Sequence, residues 1–173
     1  MAVFIILIAI ITSAGLISYL YFKSIINDIL NILVVLDKIF DERYNDLSRA
    51  ISQFQKYLPE YKNLIFDIQK SKADVAKVSK PKTIKELASK ILNENALTLN
   101  INYLIDKCDF QKIHPDLKEC VKKQAEYTQK INQYANEYNK LVINYKKMKE
   151  FFPFKQYSKM IGIDLDIDTI KTE

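Results

Sequence analysis

From Ala2 to Phe22 the chain carries no charged side chain, and no later stretch repeats that pattern. Coiled as a helix, these 21 residues reach roughly 31 Å, about the thickness of a bilayer core. Tyr19 and Tyr21 stand near one end, where amphipathic rings favour the membrane interface, and Lys23 follows at once. The pattern predicts a single-pass anchor at residues 1–22. A cleaved signal peptide fits less well, because no basic residue precedes the run and apolar residues continue past Thr12-Ser13-Ala14. All 26 Lys and Arg residues follow the run. That bias places the remainder in the cytoplasm, although long segments can translocate whatever their charge.

Beyond the anchor the apolar positions advance by alternate steps of three and four. Ile26, Ile29, Leu33, Leu36, Phe40, Arg43, Leu47, Ala50, Phe54, Tyr57, Tyr61, Leu64, Ile68, Ser71, Val75 and Val78 form one series, broken only by Arg43 and Ser71. Such a seam marks a helix packing on partner helices, as in a coiled coil. Its phase passes Pro59 undisturbed, so residues 24–79 read as one long helix kinked there, or two nearly collinear helices. Two helices meeting at an angle is the rival reading, since proline ordinarily ends a helix. After Lys80-Pro81-Lys82, Thr83 can cap a second helix running to about Cys108, with Glu86 completing a capping box. Pro115 and Asp116 open the last helix, whose seam is Leu117, Val121, Gln124, Thr128, Ile131, Ala135, Tyr138, Val142 and Tyr145. Phe151-Phe152-Pro153 ends it, a short segment at Lys155–Ile161 follows, and Gly162 precedes an acidic tail.

With two glycines and four prolines in 173 residues, hairpins and tight turns have little material. The expected fold is therefore all-α: an N-terminal transmembrane helix, then an antiparallel bundle of three to four long helices. Residues 1–22 would form the anchor, 23–163 the bundle and 164–173 the tail. The net charge of +5 belongs wholly to the part after residue 22. Because Asp and Glu are interleaved with it, a solvated helical surface explains it better than an anionic-lipid site, and nothing marks a nucleic-acid footprint.

Several phrases resemble the LemA family. Tyr138-Asn139, Val142, Tyr145, Phe152-Pro153, Lys159 and Gly162 have the order and spacing of its C-terminal signature. Asn95-Ala96-Leu97-Thr98 and Pro115-Asp116-Leu117-Lys118 are similar to two upstream stretches, and Asp37, Arg43 and Tyr57 lie on its first-helix motif without a gap. Departures mark a divergent member: His114 replaces a tyrosine, Leu47-Ser48-Arg49-Ala50 replaces another motif, the last helix is about a heptad shorter, Ile163 replaces a phenylalanine, and the aromatic ending is absent. The resemblance implies a bacterial helical bundle on a membrane anchor. It implies no reaction and assigns no functional residue.

Candidate chemistry is sparse. His114 is the only histidine, at a helix start that suits a cap or an interface. Two cysteines, Cys108 and Cys120, are too few for a structural zinc site and leave a disulfide undecided. Asp164-Leu165-Asp166-Ile167-Asp168 opens like a calcium loop, but Thr169 stands where glycine is required and the chain ends before the bidentate glutamate. No catalytic residue, cofactor or metal ligand is assigned. The reading is a non-enzymatic interaction or membrane-organising module held in the bilayer by residues 2–22, with an unidentified protein partner. Ala9/Ser13 and Ala14/Ser18 give small-residue pairs through which anchors could associate as a homo-oligomer. The alternatives are a regulatory subunit of a membrane enzyme or an anionic-lipid-binding module.

Overall fold

The computed structural model describes residues 2–76, 83–107, 114–150 and 167–170. It contains α1 (Ala2–Tyr57), a single 3-10 turn at Pro59–Tyr61, α2 (Lys62–Ala76), α3 (Ile84–Asp106) and α4 (Pro115–Glu150), with no strand among the described residues. The all-α bundle expected from the periodicity is what forms.

Each helix end has a local cause. Leu58 makes the last helical bond of α1, from its N–H to the Phe54 carbonyl at 2.8 Å. Pro59 then excludes the α conformation at the residue before it, and Leu58 turns to φ −129°, ψ 55°. Thr83 caps α3, its Oγ1 accepting from the Glu86 N–H at 3.2 Å. Pro115 opens α4 with Asp116 in its first turn, and Lys147 and Lys149 sit in its last turn, each favourable to the helix dipole. The stop assigned to Phe151-Phe152-Pro153, the segment Lys155–Ile161, Gly162, Lys159, Val78, the side chain of Val75 and Cys108 lie outside the described residues.

The chain does not continue collinearly past Pro59. Lys72 of α2 stands 4.6 Å above the Tyr44 ring of α1 and donates to Ser48. In a straight helix, residues 44 and 72 would be about 42 Å apart. α2 thus folds back along α1, and the rival of two separate helices is the correct one. The seam changes accordingly. Leu58, Ile65 and Ile68 are buried, whereas Tyr61 and Leu64 are only half-buried.

Helix directions alternate. Tyr145 meets Phe22 edge-on at 5.9 Å between ring centres, Gln124 meets Arg43, and Asp116 meets Tyr57, so α4 descends along α1. Lys90 reaches Asp37 and Thr98 reaches Arg43, so α3 ascends beside it. The result is an up-down-up-down bundle with two apolar clusters. One joins Phe22–Phe40 to Ile91, Ile131, Tyr138, Val142 and Tyr145. The other joins Leu47–Phe54 to Leu58, Ile68, Ile101, Leu104 and Val121. Arg43 stands between them.

The early turns of α1 face nothing. Residues 2–13 are all exposed, including Val3, Phe4, Ile5, Ile6, Ile10 and Ile11. α1 is long and apolar enough to cross a membrane, and little of its most apolar stretch is buried. Of the small-residue pairs, Ala9 and Ser13 are exposed. Ser18 is buried and donates to the Ala14 carbonyl at 2.7 Å.

Candidate functional site

The polar side chains gathered inside the bundle come from seam positions where an apolar residue would ordinarily stand. Arg43 is 2 % exposed. Its Nε donates to Gln124 Oε1 at 3.1 Å, Nη1 to Thr98 Oγ1 at 2.8 Å and Nη2 to Thr128 Oγ1 at 3.2 Å. Three helices thereby converge on one guanidinium. The Thr98 hydroxyl lies within reach of the Glu94 carbonyl, and that of Thr128 donates to Asn102 Oδ1 at 2.7 Å. All three acceptors are neutral, so burial prevails and pulls the Arg43 pKa down to about 10. The fork geometry of arginine lets α1 reach three acceptors on α3 and α4 at once, which a lysine does less well.

One to two turns nearer the apolar end of α1 lies a charged cluster. Asp37 and Asp41, spaced i and i+4, share a face of α1, and Glu94 of α3 lies opposite. One oxygen from each lies within 4.8 Å of the others. The Lys90 ammonium sits among them, 2.5 Å from Asp37 Oδ1, 3.6 Å from Asp41 Oδ1 and 3.6 Å from Glu94 Oε1. Glu94 is 5 % exposed, and its Oε2 has no hydrogen-bond partner. Burial pushes its carboxyl up to about 7; Lys90 opposes that, while Asp37 and Asp41 add to it. Burial works against the charge on Lys90, but Asp37, Glu94 and Asp41 hold it above the ordinary lysine value.

A third group lies on the surface of the same faces. Asp46 is bonded to Lys123 at 2.8 Å and accepts from the Tyr127 hydroxyl at 2.5 Å. These bonds hold its carboxyl below the usual range, and burial together with Asp46 pushes Tyr127 up to about 12. Cys120, a buried free thiol, is raised by desolvation.

His114 sits at the start of α4 against α1. Its Nδ1 accepts from the Asp116 N–H at 3.3 Å, and its ring stacks on Tyr57 at 4.5 Å. Among the described residues, no hydroxyl or thiol nucleophile is hydrogen-bonded to it. At the far end of the bundle a cleft of about 260 Å³ opens between α1 and α2, lined by Gln55, Pro59, Lys62, Ile65, Phe66 and Gln69. Phe66 there is 63 % exposed.

The stretches singled out in the sequence point inward. Tyr138, Val142 and Tyr145 are fully buried, and Leu97 and Thr98 lie in the core while Ala96 is exposed. Asn139 on the same helix as Tyr138 bonds a stretch of backbone far along the chain. Its Nδ2 donates to the Ile170 carbonyl at 2.6 Å and its Oδ1 accepts from the Ile170 N–H at 2.7 Å. Tyr138 donates to the Asp168 carbonyl at 2.9 Å. Ile167 and Ile170 are consequently each 2 % exposed and belong to the core. Of the segment that opens like a calcium loop, Asp164, Leu165 and Asp166 lie outside the described residues.

Lys90 and Glu94 were not anticipated. The usable signal was the α3 series Ile84, Leu87, Ile91, Glu94, Thr98, Ile101, Ile105, in which Glu94 and Thr98 occupy seam steps. No family model, no curated protein and no solved structure matches this chain.

Proposed function

We propose that this chain is a divergent LemA-like, single-pass membrane protein whose bundle acts as a non-enzymatic interaction or membrane-organising module on the cytoplasmic face. The observation carrying this reading is the continuity of α1. Bare apolar turns at residues 2–13 pass without a break into a helix whose later seam forms the bundle core. An exposed apolar stretch of this length would aggregate in water, and a bilayer is the solvent that accommodates it. The cleft beside Pro59, with exposed Phe66, is an apolar surface suited to a protein partner.

Alkaline extraction of membranes followed by in-cell photocrosslinking from position 66 tests the reading. Retention in the pellet together with one recurrent crosslinked protein supports it. Release into the supernatant, or crosslinks only to lipid, refutes the corresponding half.

A specific observation also favours the lipid reading. Because Tyr145 pairs with Phe22, exposed Lys146 and Lys147 of α4 lie level with Lys23 and Tyr19 of α1, at the edge of the apolar stretch. Lysines so placed would meet anionic headgroups. Short-chain phosphatidylglycerol should then raise the melting temperature of the detergent-purified protein more than phosphatidylcholine does. A K146Q/K147Q variant should lose that difference.

A further inference from the structure

Three carboxylates in the bundle share one ammonium. Oxygens bound to one ion can be no farther apart than twice the metal–oxygen distance. For calcium that limit is about 4.6–5.2 Å. One oxygen from each of Asp37, Asp41 and Glu94 lies within 4.8 Å of the others, close enough for small side-chain adjustments to bring all three onto one cation. Independently, Glu94 is 5 % exposed and its Oε2 is unpartnered. An acceptor left so in the interior is a standing penalty that a second bond to a cation removes. A glutamate carboxylate can also serve as the bidentate ligand calcium favours.

We propose that Asp37, Asp41 and Glu94 form a calcium-binding site in which the Lys90 ammonium and the metal ion compete for the same position. Lys90 now occupies the point from which all three carboxylates are reached, at 2.5, 3.6 and 3.6 Å. Its side chain is 13 % exposed at the edge of the cluster. The flexible tetramethylene stem lets the ammonium swing into water as the ion enters. The Asp41 side chain, 67 % exposed, leaves the outer side open to the water ligands that complete a coordination sphere of six to eight. Ion binding would therefore bridge α1 and α3 by metal–oxygen bonds in place of one lysine. The site does not depend on what partner the bundle serves.

The test uses the full chain in mild detergent, with calcium chloride and magnesium chloride as probes in calorimetry and thermal melts. Calcium, and magnesium less so, should raise the melting temperature of the native protein. A K90M variant, freed of the competitor, should bind calcium about tenfold or more tightly than native, and E94Q about tenfold or more weakly, since ligand charge sets affinity. If K90M does not fold, the native protein and E94Q decide the matter between them. Equal calcium binding by native and E94Q protein, or no calcium response in the native protein, overturns the proposal.

Discussion

At the scale of single residues, the most exacting position is Arg43. A buried guanidinium held only by neutral oxygens is tolerated because each of its three bonds also satisfies a seam hydroxyl or amide. Arg43→Ala should lower stability by about 2–5 kcal/mol in chemical unfolding, since it removes three buried bonds to Thr98, Gln124 and Thr128 and leaves a void. The triple change R43L/Q124L/T128V should recover most of that loss, because an apolar layer removes the desolvation debt along with the bonds. Glu94 gives a second prediction, made for protein in chelator. Its carboxyl titrates near 7 in the folded chain against 4.5 as a free group. Between those values the folded state holds the extra proton, so stability falls as pH rises through the window, by up to about 3 kcal/mol. Melts of native protein from pH 4 to 8 should show that decline. E94Q should be flat over the same range and the more stable of the two above pH 7.

Among the elements, the seam arithmetic identified most of what packs. Ile29, Leu33, Leu36, Phe40, Leu47, Ala50 and Phe54 are all buried where the three-four series placed them. It failed at Pro59 for a definable reason. Periodicity counts residues and is blind to direction, so a series that happens to stay in phase runs straight through a reversal. The stereochemistry of the residue before proline carried the correct signal and should have outweighed the phase. The candidate site was legible in part. Arg43, Gln124 and Thr128 were visible as seam members, but pairing them needs the relative level of α1 and α4, which no single helix encodes. That Asn139 bonds backbone was legible, but not which backbone, because its partner, Ile170, lies 31 residues away. Asn139→Ala should expose the Ile170 amide to hydrogen exchange and lower stability by about 1–3 kcal/mol, by loss of two buried bonds. Unchanged protection at Ile170 would show that Ile167 and Ile170 hold the segment through packing alone.

For the whole molecule, one unbroken helix joins bare apolar turns to a packed bundle. The proposed anchoring rests on exposed apolar turns that include Ile10, 61 % exposed near the middle of the charge-free run. A lysine at such a depth disfavours insertion by about 2.5–3.5 kcal/mol. Ile10→Lys should therefore shift protein from the membrane pellet to the soluble or aggregated fraction, while a change to Leu leaves it in place. Far-ultraviolet circular dichroism of the two variants should coincide, because Ile10 makes no contribution to either apolar cluster.

The unbroken course of α1 has a mechanical consequence. From Phe22 to Tyr57 the helix has no joint, and 35 rises of 1.5 Å set the distal tip about 52 Å from the edge of the apolar turns. With those turns in a bilayer, the Pro59 cleft is held at a fixed stand-off, and the rod works as a ruler. A protein docking on Phe66 must be tall, tethered or free in the aqueous phase, and a short membrane-embedded neighbour is out of range. Any tilt of the rod at the lipid surface is passed undiminished to its tip, where ten degrees moves the cleft sideways by about 9 Å.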